Sequence, residues 1–535
     1  MAMNKTRVLV VGGGATGVGI IRELALRGID SVLIEQKDLA HGASFRFHGL
    51  LHSGARYASN DLEAAKECIR ENTILKKIAP TCINNTGGLY LQHKHDDDNY
   101  LEGWLNGCKE AGIETKEIGI NEVLKSNPFL TKDLKRAYLV PDGIIDGSSL
   151  VWANVYQAVR YGAKVLTYTK LIGILIENNK VVGAEVVNTL TGVKATWECE
   201  VIINATGTWA DQVVSLAGIE LSLVKNKGSL LVFNQRITSQ VLNRLRTPSD
   251  GDIFVPHHTV TILGTTSINI DNPDTAEPSK KEVNDLLNAG KELIPKIWNY
   301  RILRAYSGVR PLYVDNTSKG QDGRTISREF TIIDHGCEDG LSGLLSLVGG
   351  KLTTYRLMAE KTVNYVFKIM GENSIDVNPM TPLVELGGIN AGSNQHSKVV
   401  QRHGERAYLI ENYLKKFPDK ASVLCECENI SYGEVEEVAS WDNTHNLDDL
   451  RRKTRIGMGT CQGLYCSFRS LGAAWNCFKK KTENPIEYLV DFLENRYKGQ
   501  KRLLWDSQIR ESELTLGVYS TIFNIERSKE KSNEI

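Results

Sequence analysis

A chain of 535 residues is about three average domains long and, with 41% hydrophobic residues, can bury a sizeable core. Lys+Arg and Asp+Glu balance at 64 each, so no single-sign field points to nucleic acid or a strongly anionic surface, and nucleic acid is not an expected partner. No apolar run reaches about 18 residues, no signal peptide is visible, and ten cysteines are too scattered for a disulfide framework, which predicts a cytoplasmic protein.

Val8–Val11 is a short apolar run bounded by glycine, as in a buried parallel strand, and Gly12-x-Gly14-x-x-Gly17 follows at once. Ile20, Ile21, Leu24 and Leu26 fall on one helix face, Gly28 closes the helix, and Ser31–Ile34 is a second strand ending at Glu35. This is a βαβ unit. Gly12 permits the tight turn, Gly14 lets backbone approach a pyrophosphate, and Gly17 lets the helix pack close to the sheet. The helix N-terminus then holds the pyrophosphate, and Glu35, 18 residues past Gly17, accepts hydrogen bonds from a ribose diol. The fingerprint alone does not separate FAD from NAD.

Ala40–Tyr57 carries three glycines, three histidines and two arginines around Leu50-Leu51, the composition of a functional loop rather than a plain connector. Leu62–Ala79 is an amphipathic surface helix, Gly87–Gln92 and Ala137–Val140 are strands, and Val151–Tyr161 is a helix. Val181–Asn188 and Lys194–Cys199 form a hairpin, expected to belong to a substrate-covering sheet together with Lys227–Phe233 and Val260–Gly264. Val201–Asp211 is a strand ending in Ala205-Thr206-Gly207. Arg301–Val314 and Ser327–Ile333 set Arg304, Arg310 and Arg328 in apolar strands, where each needs an anion: a ligand, or Asp315, Asp334 or Glu329. Leu344–Val348 leads into Gly349-Gly350-Lys351 and a helix.

The fingerprint, HSGARY at 52–57, NATG at 204–207, YSGVRPL at 306–312 and GGKLTTYR at 349–356 together resemble the FAD-dependent glycerol-3-phosphate dehydrogenases of the D-amino-acid-oxidase superfamily. The resemblance implies FAD, with Gly12, Gly14, Gly17 and Glu35 on its ADP half and Ala205, Thr206, Gly207, Gly349 and Gly350 along the rest. It implies that Arg56, Tyr57, Arg310 and Lys351 contact glycerol 3-phosphate, with Arg328 a further phosphate ligand. His257 and His258 fall near a substrate-contacting histidine of related enzymes, and Phe45-Arg46-Phe47 departs from the small, polar residues of the family's flavin loop. His52, just before Arg56 and titrating in the right range, is the candidate base, with Lys351 or a water as alternatives.

Gly371–Asn394 is glycine- and asparagine-rich, and residues 371–420 are expected to link the FAD-dependent unit 1–370 to a cysteine domain 421–480 and a helical tail 481–535. Cys425-x-Cys427 and Cys461-x4-Cys466 give two pairs of soft ligands, each able to chelate one iron of a [2Fe–2S] centre; zinc or unliganded thiols remain alternatives on spacing. The other six cysteines are read as buried small hydrophobes. RIGMGTCQGLYC resembles the bacterioferritin-associated-ferredoxin-like [2Fe–2S] domain, and the whole arrangement is similar to the catalytic A subunits of anaerobic glycerol-3-phosphate dehydrogenases.

That similarity implies oxidation of sn-glycerol 3-phosphate to dihydroxyacetone phosphate, with electrons passed through companion redox subunits to quinone at the inner face of the cell membrane. Two readings compete with it: part of a FAD-dependent amine or amino-acid (opine- or sarcosine-type) oxidoreductase, and a non-catalytic FAD/Fe–S electron-transfer chain. Several arginines suit a dianionic phosphate better than one carboxylate. The fold class expected is α/β: a Rossmann-type FAD-binding domain with an antiparallel substrate-covering β-sheet, plus a small, mainly helical C-terminal cysteine domain.

Overall fold

The computed structural model describes residues 4–313, 329–383, 397–478 and 484–522. At its centre is a six-stranded sheet in the order Lys164–Leu166, Ser31–Ile34, Val8–Val11, Val201–Asn204, Leu344–Gly349 and Phe330–Asp334, parallel except at the last strand. Its inner strands are buried on both faces, as near-continuous runs of Val, Ile and Leu require. The helices Ala15–Leu26, Gly147–Arg160 and Tyr355–Met370 cover one face and share its core.

The other face is covered by a four-stranded sheet of Asn4–Lys5, Lys194–Glu198, Lys180–Asn188 and Thr169–Glu177. The hairpin at 181–199 forms as expected but lies here, behind the central sheet, so its assignment to the substrate-covering sheet is corrected. Leu171, Ile174, Val186 and Trp197 are buried against Leu9, Val32 and Ile34, an apolar match that outweighs any role at a polar ligand site.

The covering sheet is a separate nine-stranded layer containing Gly88–His93, Leu134–Val140, Leu223–Phe233, Ile253–His257, Val260–Gly264 and Ile302–Tyr313. Its core is closed by the helix Lys280–Lys291, opened by a capping box between Ser279 and Glu282.

A helical C-terminal unit has its own core, including Ile410, Leu424, Ile430, Val435, Trp441, Leu450, Leu489 and Phe492. Lys398–His403 and Ala407–Lys416 are helices of this unit, with Val400, Ala407 and Ile410 buried at helical spacing. The unit docks through the helix Leu447–Thr454: Arg452 and Lys453 reach fully buried Asp38 at 2.8 and 3.5 Å, and Tyr168 donates to Asp449 at 2.7 Å. The tail does not stand apart. Leu503 joins the covering-sheet core, Ala305 N–H donates to Gly499 O at 2.7 Å, and Ile302 N–H donates to Gln508 Oε1 at 2.9 Å.

Candidate active site and cysteine centre

A cavity of about 1380 Å³ runs from Gly12–Thr16 and Glu35 to Arg56, Tyr57, Arg310 and Lys351. That exceeds the usual size of a small-molecule pocket and suits a dinucleotide plus a substrate. Gly12 has φ +113°, and a Cβ there would sit 2.6 Å from Ala205 O; a Cβ on Gly17 would overlap Gly12 O. Gly14, the N-cap of the helix Ala15–Leu26, offers no side chain, Ala15 N–H donates to Ser44 Oγ at 2.8 Å, and no acid stands in the first turn, so the positive end of the helix faces the cavity. Glu35 accepts from the Gly13 and Lys37 amides at 2.8 and 2.9 Å while burial pushes its carboxyl up. Ala205, Thr206, Gly207, Gly349 and Gly350 line the same cavity, and Gly17 packs behind it. These residues fit the FAD that the sequence implies: a helix N-terminus with no acid in its first turn for the pyrophosphate and an oriented carboxylate for the ribose.

At the far end, Arg310 stands on Ile302–Tyr313 opposite Asn226. Its guanidinium donates to Asn226 Oδ1 at 2.7 Å and to Thr265 Oγ1, and it lies over Gly228, where any Cβ would collide with it. Arg56 donates to Asp252 Oδ2 at 3.1 Å and Ser249 O at 3.2 Å, and Asp252 is shared with Arg246. Lys351 Nζ sits 4.8 Å from the Tyr57 ring centroid, a cation–π contact that holds the ammonium in place.

His52 lies between these groups, 5.5 Å from the Tyr57 ring and 5.8 Å from the His48 ring. Burial, with His48, Arg56 and Lys351 nearby, holds it well below the ordinary histidine value, so the premise that it titrates near neutrality is corrected: it is neutral throughout the physiological range.

Several expected residues lie elsewhere. Arg328 is outside the described residues. Arg304 does not line the cavity and lies 5.8 Å from the Tyr306 ring centroid and against Gly499. His257 and His258 do not line the cavity; His258 Nε2 is 3.6 Å from Asp146, itself bound to Arg455 of the cysteine unit at 3.0 Å. The Phe45-Arg46-Phe47 departure has a packing reason, since both phenylalanines pack on the central core and the Arg451 guanidinium lies 5.2 Å from the Phe45 ring centroid. Sequence reasoning missed His48, Asn226, Thr265 and Asp252. Only His48 carried a signal, as one of three histidines in a crowded loop.

Cys425 and Cys466 are buried, and Cys427 and Cys461 half-buried, at one end of the C-terminal unit. Gly459 packs against Cys427 so closely that a Cβ would overlap it, and Cys427 Sγ is 3.4 Å from Thr460 Oγ1. The sulfurs form an open chain, Cys425 beside Cys466, Cys466 beside Cys461, and Cys461 beside Cys427. Among the described residues no three of them lie within 4.8 Å of one another. Four cysteine sulfurs gathered in one small unit are the soft donor set that a [2Fe–2S] cluster takes. Of the remaining cysteines, Cys68, Cys82, Cys108 and Cys199 are buried as expected, whereas Cys337 is exposed and Cys477 half-buried.

Residues 7–356 match the family model for FAD dependent oxidoreductases, and residues 423–469 match that of the BFD-like [2Fe-2S] binding domain. The chain is therefore an FAD-dependent oxidoreductase with a C-terminal [2Fe–2S]-binding domain. It is 40% identical over 539 residues to the A subunit of anaerobic glycerol-3-phosphate dehydrogenase from Escherichia coli strain K12, covering 98% of this chain and 97% of that one. It is 37% identical to the A1 subunit from Haloferax volcanii, covering 97% and 90%. Among solved structures, a glycerol-3-phosphate dehydrogenase from Bacillus halodurans complexed with FAD has the same fold, with a TM-score of 0.69 at 22% identity over 94% of this chain and 97% of that one. The protein belongs to the family of anaerobic glycerol-3-phosphate dehydrogenase A subunits.

Proposed function

We propose that the chain oxidises sn-glycerol 3-phosphate to dihydroxyacetone phosphate and passes the electrons through its cysteine centre to companion subunits, then to quinone. One observation carries this reading: Arg56, Arg310 and Lys351 converge at one end of a cavity whose other end is a dinucleotide cradle. Three cations suit a phosphate dianion, and the fork of Arg310 is oriented by Asn226 and Thr265 before any ligand arrives. Arg328 is proposed as a further phosphate ligand on resemblance alone.

FAD, when bound, supplies the acceptor for the hydride leaving the carbinol carbon, and the hydroxyl proton must go elsewhere. His52 is already neutral and is the proposed base. Burial is the main cause of its weakened basicity, and the smaller part that comes from Arg56 and Lys351 is one a phosphate dianion would offset. A [2Fe–2S] cluster, when bound by Cys425, Cys427, Cys461 and Cys466, moves electrons one at a time, which suits delivery to another redox protein. The relatives' naming as subunits supports companion chains. Among the described residues no helix is long and apolar enough to cross a membrane, and membrane attachment is proposed to run through those companions.

Anaerobic titration of the flavin absorbance tests the reading. Glycerol 3-phosphate is expected to bleach the flavin, with glycerol and amino acids inactive. Bleaching by an amino acid alone would transfer the chain to the amine-oxidising class.

A further inference from the structure

The loop that carries His52 holds a second imidazole at the substrate end, and one of its ring nitrogens is already engaged. His48 Nδ1 accepts the Leu50 amide N–H at 3.0 Å. A nitrogen that accepts an N–H carries no proton, so a neutral ring bears its hydrogen on Nε2. Burial, with Arg310 and Arg56 nearby, pushes the group down to about 3, which keeps the ring neutral. Among the described residues Nε2 has no hydrogen-bond partner, and the ring lines the cavity. The His48 and His52 ring centroids are 5.8 Å apart, a separation over which one oxygen can lie within about 2.8 Å of a nitrogen on each ring.

We propose that His48 is a catalytic hydrogen-bond donor: with Nδ1 committed to the Leu50 amide, its Nε2–H points at the substrate hydroxyl oxygen whose proton His52 accepts. The assignment rests on the reading of this cavity as a site of alcohol oxidation. The two histidines then divide the work. Charge builds on the oxygen as its proton passes to His52, His48 holds that charge without giving up its own proton, and the oxygen ends as the product carbonyl. Leu50 enforces the division, because its strand Leu50–Leu51 pairs with Gly143–Ile145 and cannot turn its amide away.

His48→Asn and His48→Gln separate the two ring nitrogens in the FAD-loaded enzyme. Asparagine retains an acceptor for the Leu50 amide and withdraws the donor, whereas glutamine retains an N–H near the Nε2 position. Stopped-flow flavin reduction by glycerol 3-phosphate is expected to slow about a hundredfold in His48→Asn. Inorganic phosphate, read by its perturbation of the flavin spectrum, should bind within about twofold of wild type, because the lost contact is not to the phosphate. His48→Gln should recover about tenfold of the lost rate, a rescue that a purely structural role would not show. With ¹⁵N-histidine labelling, the resonance missing from His48→Asn should be a neutral Nε2–H tautomer from pH 5 to 8. Wild-type rates in His48→Asn, equal losses in both variants, or an Nδ1–H tautomer would each overturn the donor role alone. A wild-type flavin that glycerol 3-phosphate leaves oxidised would overturn the underlying reading of the cavity, and the donor role with it.

Discussion

The flavin cavity and the cysteine centre place their groups by different means. The cavity is assembled from strand ends, a helix N-terminus and side chains drawn from residues some 340 positions apart in sequence, Gly12 to Lys351, and glycines line much of its cofactor end. The cysteine centre depends on four side chains from two short segments, and no backbone group can replace a missing thiolate. Function at the first site is spread over many contacts, each worth part of the whole. At the second it is concentrated, and one atom can remove it.

The sharpest break in that comparison is Cys461→Ser. The cysteine unit has its own apolar core and is expected to stay folded, so iron and acid-labile sulfide should be lost while single-turnover flavin reduction stays near wild type and quinone reduction by the assembled complex disappears. Stoichiometric zinc without iron in anaerobically prepared wild-type protein would remove the relay altogether.

Asp38→Ala tests how the two sites are held together. It would leave Arg452 and Lys453 buried without their shared carboxylate, at about 3 kcal/mol or more. The expected result is a C-terminal unit that unfolds before the flavin domain in calorimetry; a single unshifted transition would show the ion cluster to be dispensable.

Arg310→Ala removes one share of a distributed site. A charge-assisted contact is worth about 1.5–3 kcal/mol, so kcat/KM for glycerol 3-phosphate should fall by roughly tenfold to a hundredfold with FAD content unchanged. An unaltered value would take Arg310 out of the phosphate set.

The smallest effect concerns acid stability. His41 is pushed down to about 2 and His48 to about 3, and His52 and His257 also lie well below their ordinary value of 6.5, chiefly through burial. Below pH 6.5 the unfolded chain binds protons that the folded chain refuses, so stability falls with pH, by at most about 1.4 kcal/mol per pH unit for each histidine. Tm should drop between pH 7 and 5, and less steeply in His41→Asn; equal slopes would assign the acid lability to other groups.

Local chemistry was legible before any coordinates. The βαβ fingerprint, the Ala205–Gly207 and Gly349–Lys351 junctions and the four thiols are written in residue types whose backbone or ligand demands are met within a few positions. What could not be read depends on distant partners. The 181–199 hairpin formed as a hairpin, but the face it would cover is decided by Leu9 and Trp197 finding each other. The carboxylate beside Arg56 is Asp252 and the amide beside Arg310 is Asn226, pairings set by sheet topology. The ionisation of His52 is likewise a property of its neighbours, invisible in a histidine read alone.

The tail that crosses back to the covering sheet bears on biosynthesis. Ile302–Tyr313, the strand that carries Arg310, has its early amides answered by Gly499 O and Gln508 Oε1. During translation that strand emerges long before its edge partner exists, and an unpaired edge is a template for aggregation. The edge is therefore closed only after residue 508 has been synthesised, and a nascent chain truncated before Gly499 presents an open edge that quality-control proteases and chaperones can recognise.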